Sequence, residues 1–380
     1  MTIGRTSTLL LIGWALACQP PRSPKDQPAR MRLVPEFTIG TIGDGPDGFG
    51  DVRGFVVDRQ NQLWVVDGQA QELRVFDSAG RFLRKVGRKG SGPGEFVYAD
   101  GITATPNGRV WVHDPQNSRL SAFDPDGRFI EQILAPTGGY GYLWEGGVDS
   151  SGRLWEDFIT VDTVAQQPVK RFRRYAPDFS RADTVELPAC VPGPGRTKRN
   201  ALSGTHGFAQ IPNAPGAISA TDFNGRMACI PWTAEPNGYA VDLSGADTLT
   251  RYVVGAAPIA LRPPERDSLI ASLSATAKKI GADFSPSMVP ATKPAVHGMF
   301  FDGEGRLWIK RITPAGGTEF DIFDRAGRLV TVVESPFDPS NYIRPMFRGD
   351  RIYFFVRGED DVPQIVRNRL VPVAASGQPE

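Results

Sequence analysis

The chain has 380 residues, 40% of them hydrophobic and 10% aromatic, which is ample for a large buried core. Its 43 basic and 42 acidic residues leave a formal charge of +1. Such balance gives no electrostatic pull toward nucleic acid or anionic lipid headgroups. Length suggests more than one domain, but closed all-β folds often run this long as one.

The N-terminus carries an address. Arg5 precedes a short apolar stretch from Leu9 to Ala17, and Cys18 follows. About ten apolar residues are too few for a spanning helix, which needs roughly 20. The pattern reads as an export signal, residues 1–18, that is removed. Ala15-Leu16-Ala17-Cys18 resembles the lipobox of bacterial lipoproteins, with Ala15 where that family usually has Leu. The resemblance implies that Cys18 becomes the acylated first residue of the mature protein, so that contact with the membrane is through a lipid anchor alone. An ordinary signal peptide with a nearby cut is the alternative. Residues 19–32 are polar and rich in proline, the composition of an unfolded tether.

A repeat then sets the fold. Residues 54–86 align almost without gaps on residues 101–134. Each unit has four short β-rich runs separated by turn residues, the pattern of a propeller blade. An aromatic marks the second run: Trp64, Trp111, Trp155, Trp308 and Tyr353, with Ala228 in the remaining slot. Six such positions predict an all-β, six-bladed β-propeller over residues 33–372, with 373–380 as a tail. The sixth unit lacks an outer strand. Residues 39–49 repeat the glycine- and proline-containing segment 86–96 that follows the outer strand of the first unit. Residues 33–40 should therefore supply the missing strand and close the ring.

Residues 112–123 contain Asp114, Asn117 and Arg119 in the order and spacing of the NHL repeat, which they resemble. The first unit keeps Asp67 but has Ala70 and Glu72 where Asn and Arg are expected. The resemblance implies fold well and function poorly, because such propellers include lyases, lactonases, RNA binders and scaffolds.

Two insertions interrupt the repeat, at residues 189–215 and 255–296. Both fall in connections between one blade and the next, so both should sit over the same mouth of the channel. Loops on a rigid scaffold usually carry function. The second contains a helical stripe of Leu269, Ile270, Leu273, Ala277 and Ile280 that Gly281 is placed to stop. It reads as a cap packed on the propeller, or else as a lid or docking helix. Cys190 and Cys229 are candidates for a disulfide in an oxidising compartment, the alternative being two buried thiols.

Counting eleven residues back from each marker gives the expected channel rim: Arg53, Asp100, Trp144, Ala217, His297 and Tyr342, with Glu145 and Arg344 beside them. Cations, carboxylates, a histidine and aromatics in one concavity suit a ligand site; a solvated rim of salt bridges is the bland reading. NHL-like amidating lyases hold zinc with three histidines. Here only His297 matches that placement, with His206 in the first insertion and His113 better suited to a structural role. A calcium site from Asp100, Glu145 and carbonyls is a further candidate. No Gly-x-Ser-x-Gly elbow and no phosphate loop appear. The sequence thus points to an exported, envelope-anchored propeller, periplasmic or at the cell surface, that binds a small molecule, glycan or envelope protein and needs no cofactor. A metal-assisted hydrolase or lyase at the same mouth is the alternative.

Overall fold

The computed structural model of the chain describes residues 28–135, 144, 146–161, 168–188, 190, 201–214, 217–231, 233, 239–244, 249–256 and 258–373. Cys18, Glu145 and most of the predicted tether lie outside them. Among the described residues no helix is long and apolar enough to cross a membrane.

The chain forms a six-bladed β-propeller. Blade one is built from Val52–Val57, Leu63–Asp67, Glu72–Phe76 and Phe82–Val86, in that order from the inner strand outward. Blade two is Gly101–Ala104, Val110–Asp114, Arg119–Phe123 and Phe129–Leu134. Blades three and four start from the short inner strands Gly147–Val148 and Ile218–Thr221, and end at Ala182–Val185 and Leu249–Val254. Blade five runs from Val296–Phe301 to Leu329–Ser335. Blade six has Met346–Arg348, Arg351–Arg357 and Pro363–Pro372. Tight turns join the strands; Asn61 and Gly108, at equivalent places in two of them, have φ of 58° and 91°, which Gly and Asn adopt at least cost.

Closure is as expected, and slightly longer. The strand Ala29–Ile39 lies antiparallel to Pro363–Pro372, with Phe37 opposite Arg367 and Ile39 opposite Ile365. The strand begins at Ala29, not Leu33, so residues 29–32 are no part of a tether. They pair in parallel with Thr331–Glu334, the outer strand of blade five, and Arg30 bridges Glu319 and Glu334. Blades five and six thereby share one eight-stranded sheet.

Alternation explains why so many strands are buried throughout. In Leu63–Asp67, Leu63 and Val65 face blade six, while Trp64 and Val66 face blade two. Each marker residue fills the seam with the following blade. Trp111 lies between blades two and three, Trp155 between three and four, Trp308 between five and six, and Tyr353 between six and one. Ala228 leaves room that Tyr239, Val241 and Leu243 occupy at the seam of blades four and five. Among the described residues the seam of blades three and four has the smallest buried cluster, Trp155, Phe172 and Phe223. A disulfide between Cys190 and Cys229 crosses that same junction.

Two polar devices hold the repeat. Asp58, Asp149 and Asp302 stand six residues before Trp64, Trp155 and Trp308; each accepts the indole N–H at 2.8–3.0 Å and backbone N–H groups of the intervening turn. In blade two Thr105 replaces the aspartate, and Trp111 Nε1 has no acceptor. The second device clamps the connectors. Asp114 accepts from Val97 N and Tyr98 N, and Arg119 donates to the carbonyls of Ser91, Gly92 and Glu95. In blade one Asp67 accepts from Gly50 N and Asp51 N. The expected arginine is missing at Glu72, but Arg74, two residues on and on the same strand face, donates to Gly45, Pro46 and Gly48.

The insertions pack on each other. The first forms the hairpin Ala201–Gly204 and Gly207–Gln210; the second holds the helix Pro263–Ile280. The helix starts at Pro263, a residue suited to the first helical position, and it ends, as expected, at Gly281 in the left-handed region, φ 69°. Leu202 and Ile211 from one insertion and Leu273, Ala277 and Val289 from the other share a separate small core.

Two predictions follow from closure and from the thin seam. A chain starting at Gly40 leaves Ile365, Tyr353 and Val366 uncovered. It should be recovered as aggregate, whereas a chain starting at Pro28 melts cooperatively as a monomer in size exclusion and calorimetry. Closing a loop of 39 residues constrains the unfolded chain, so Cys190→Ser with Cys229→Ser should lower unfolding free energy by roughly 4 kcal/mol. Urea titration with and without reductant checks this; identical midpoints would refute the cross-link.

Candidate functional site

The face that carries the inter-blade connections also bears the predicted rim positions. Inner strands begin there, and second strands end there, at Asp67, Asp114 and Ile312. Two inner strands carry a β-bulge at this end. In blade one Val52 opposes Asp67 and Gly54 opposes Val66, so Arg53 is the extra residue. In blade five Val296 opposes Arg311 and Gly298 opposes Lys310, so His297 is the extra residue. A bulge re-aims one side chain without disturbing the rest of the ladder. A glycine follows each, as Gly101 follows Asp100, because the next blade passes close. A Cβ on Gly54 would come within 3.2 Å of Ile102, one on Gly101 within 2.5 Å of Trp144, and one on Gly298 within 2.7 Å of Asn341.

Arg53, Asp100 and Trp144 belong to three successive blades. Arg53 Nε donates to Asp51 at 2.7 Å, and its guanidinium lies 3.9 Å from the centroid of Tyr98. Its Nη1 is buried without a partner. Gly68 makes the room, since a Cβ there would touch the Arg53 stem. The Trp144 ring stacks on His113 at 5.5 Å, and its Nε1 is buried and unpartnered.

Beneath Trp144 runs a buried charge network. His113 Nδ1 is 2.5 Å from Asp100 Oδ1, and Nε2 is 3.5 Å from Glu156 Oε1. Glu156 Oε2 in turn accepts from Tyr175 at 2.6 Å and Arg173 at 3.1 Å. All of this crosses the seam between blades two and three. Burial alone would push the His113 imidazole down. The hydrogen bond to Asp100, then the close approach of Glu156, and the charges of both carboxylates outweigh it and lift the group to about 9. Burial also lifts Asp100, more than His113 holds it down. Two acids and two cations, His113 and Arg173, make the set neutral overall, which is how buried charge is tolerated. Asp100 is thus a partner of His113, not an open carboxylate on the rim.

On the other arc, Lys310 is buried and donates to Pro339 O at 2.5 Å, beside Asp338 at 2.6 Å. Burial, then the Lys310 charge, push His297 down, and its Nε2 has no partner. Tyr342 does not take the equivalent rim position. Tyr353 pairs with Met346, seven residues back, where Trp64 pairs with Val56, eight back. That shorter turn puts Ile343 at the place of Arg53, and Ile343 is buried between blades six and one while Tyr342 is 79% exposed. Arg344 turns away from the mouth. It lies 4.7 Å over Phe223 and donates to Thr221 O and Phe301 O, at the opposite ends of their inner strands. Ala217 lies one residue before the inner strand of blade four. His206 is exposed at the tip of the first insertion, its N–H bound to Ile280 O. Among the described residues no group of three His, Cys, Asp or Glu side chains is placed to hold a metal ion.

Glu156 and Arg173 escaped sequence reasoning because neither stands at a rim position; Glu156 directly follows the Trp155 marker, where Val65 and Val112 stand in blades one and two. The only signal was their departure from the apolar alternation of blade-three strands.

Residues 56–137, spanning most of blade one and all of blade two, match the DUF5128 family, described as a 6-bladed beta-propeller. No curated protein matches the chain in sequence. The fold is similar to that of a member of the DUF4221 family from Bacteroides vulgatus, with TM-score 0.52, 11% identity, and 91% of this chain and 100% of that one covered. An exported protein of Bacteroides fragilis gives TM-score 0.47 at 11% identity, covering 89% and 95%. An inactive virginiamycin B lyase from Staphylococcus aureus with quinupristin gives 0.42 at 12% identity, covering 93% and 97%. The likeness is one of fold.

The raised His113 proton gives a pH test. Folding holds a proton that the unfolded chain releases near pH 6.5. The stabilisation is therefore complete below pH 6.5 and is lost as pH climbs toward 9. At about 1.36 kcal/mol per pH unit, that window is worth roughly 3 kcal/mol. Melting temperature from pH 6 to 10 should fall more steeply for the native chain than for His113→Gln; parallel curves contradict the assignment.

Proposed function

We propose that this propeller is a ligand- or protein-binding module of the cell envelope, working through the mouth that carries the connections and the two insertions. One observation carries the reading: the bulges of blades one and five, with the glycines behind them, aim Arg53 and His297 at the same end of the ring as Trp144. The three supply two unpartnered donors, Arg53 Nη1 and Trp144 Nε1, and one unpartnered imidazole nitrogen, His297 Nε2. Buried polar atoms without partners carry a desolvation cost that a ligand can relieve. Aromatic faces from Tyr98 and Trp144 add apolar contact area.

Export and lipid anchoring at Cys18 complete the reading, on the strength of the apolar leader and the Ala15-Leu16-Ala17-Cys18 match. The metal-assisted alternative would require Asp100 to leave His113, and no observation favours it.

Ligand-observed NMR with pooled glycan fragments and small envelope metabolites tests the site. Binders should lose at least about thirtyfold in affinity on Arg53→Ala or His297→Gln, the scale of an interface hot spot, while the melting temperature holds. Binding indifferent to both substitutions would sink the proposal. Turnover of a substrate that these substitutions abolish would convert it into an enzyme.

A further inference from the structure

The closing strand has a direction, and that direction bears on orientation. Ile39 lies at the connection end of the ring, where the chain passes through residues 40–51 into the inner strand of blade one. Ala29 lies at the other end. It pairs with Thr331, and the pairing is parallel, so the strand enters from the side of Leu329 and the turn Asp324–Gly327. The C-terminal strand leaves at the same place: Met31 opposes Pro372, and Val373 N donates to Arg30 O at 3.0 Å. Both ends of the folded chain thus emerge on the face opposite the insertions, the bulges and the connections.

Length adds a limit. The 11 residues of Ala29–Ile39 carry the chain roughly 33 Å along the strand. Cys18 stands eleven residues before Ala29, and eleven residues span at most about 38 Å fully extended. A link of eleven residues reaches from Ala29 back to the mouth only near full extension.

Resting on the anchored, envelope-binding reading above, we propose that the insertion-bearing mouth is held facing away from the bilayer. Its ligand is then a water-borne molecule and not a lipid of the anchoring leaflet. The helix Pro263–Ile280 and the hairpin around Ser203 belong to insertions that depart from connections on that face, and are presented to the aqueous side with it.

The test uses the full acylated chain in phosphatidylethanolamine–phosphatidylglycerol vesicles carrying a rhodamine-headgroup lipid. A donor dye is attached at Ala79→Cys, in a turn of the far face, or at Ser203→Cys, in the first insertion; both sites are exposed. Energy transfer to the bilayer should be clearly stronger from position 79 than from position 203. Equal or reversed transfer on acylated protein overturns the orientation while leaving the anchor and the rim site intact. Mass spectrometry of the N-terminal peptide is the separate check on the anchor. An unmodified Cys18 overturns the anchored reading and the orientation with it, and leaves the NMR test of the rim untouched. Added lipid vesicles that compete with rim binders would also overturn the proposal.

Discussion

A sheet that is apolar on both faces has to be covered on both faces, and in this protein the cover is always another blade. That constraint generates the ring. Leu63, Val65, Trp64 and Val66 alternate along one short strand, yet all four are buried, because one pair belongs to the seam behind and the other to the seam ahead. The last blade must meet the first, and it does so with a strand from the far end of the chain. Ala29–Ile39 completes blade six, and its first residues also cover the outer edge of blade five. An edge that would otherwise offer unpaired N–H and C=O groups is removed.

The ring is not uniform, and its irregularities fall together. Blade three has the shortest inner strand, Gly147–Val148, and its seam with blade four has the smallest apolar cluster among the described residues. The disulfide Cys190–Cys229 supplies a covalent link at that junction. The first insertion departs from the same connection and builds a separate core with the second. That junction is cross-linked and gives rise to elements that a plain propeller lacks.

The seam between blades two and three uses charge instead. Asp100, His113, Glu156, Tyr175 and Arg173 form a continuous set of contacts under Trp144, with acids and cations in equal number. The sequence suggested an open acidic rim residue at Asp100 and a merely structural His113. The structure joins them, which leaves Arg53, Trp144 and His297 as the residues of the proposed site. The count of eleven residues found all three because in blades one, three and five the residue opposite the marker stands eight positions before it. It misplaced Tyr342 because the blade-six turn is a residue shorter. It offered Arg344 as a rim neighbour, whereas that side chain runs to the other ends of blades four and five.

The amino-acid sequence by itself determined the number of blades, the positions of the seam-filling aromatics, the strand exchange that closes the ring, and the places of both insertions. These follow from period and alternation, which are local and repeat along the chain. Only the tertiary structure decided that Arg74 does in blade one what Arg119 does in blade two, that Glu156 faces His113 across a seam, and that bulges displace Arg53 and His297 from the regular register. Such facts depend on which blade lies next to which and on single-residue shifts of register, and neither is written in the spacing of residues along one strand.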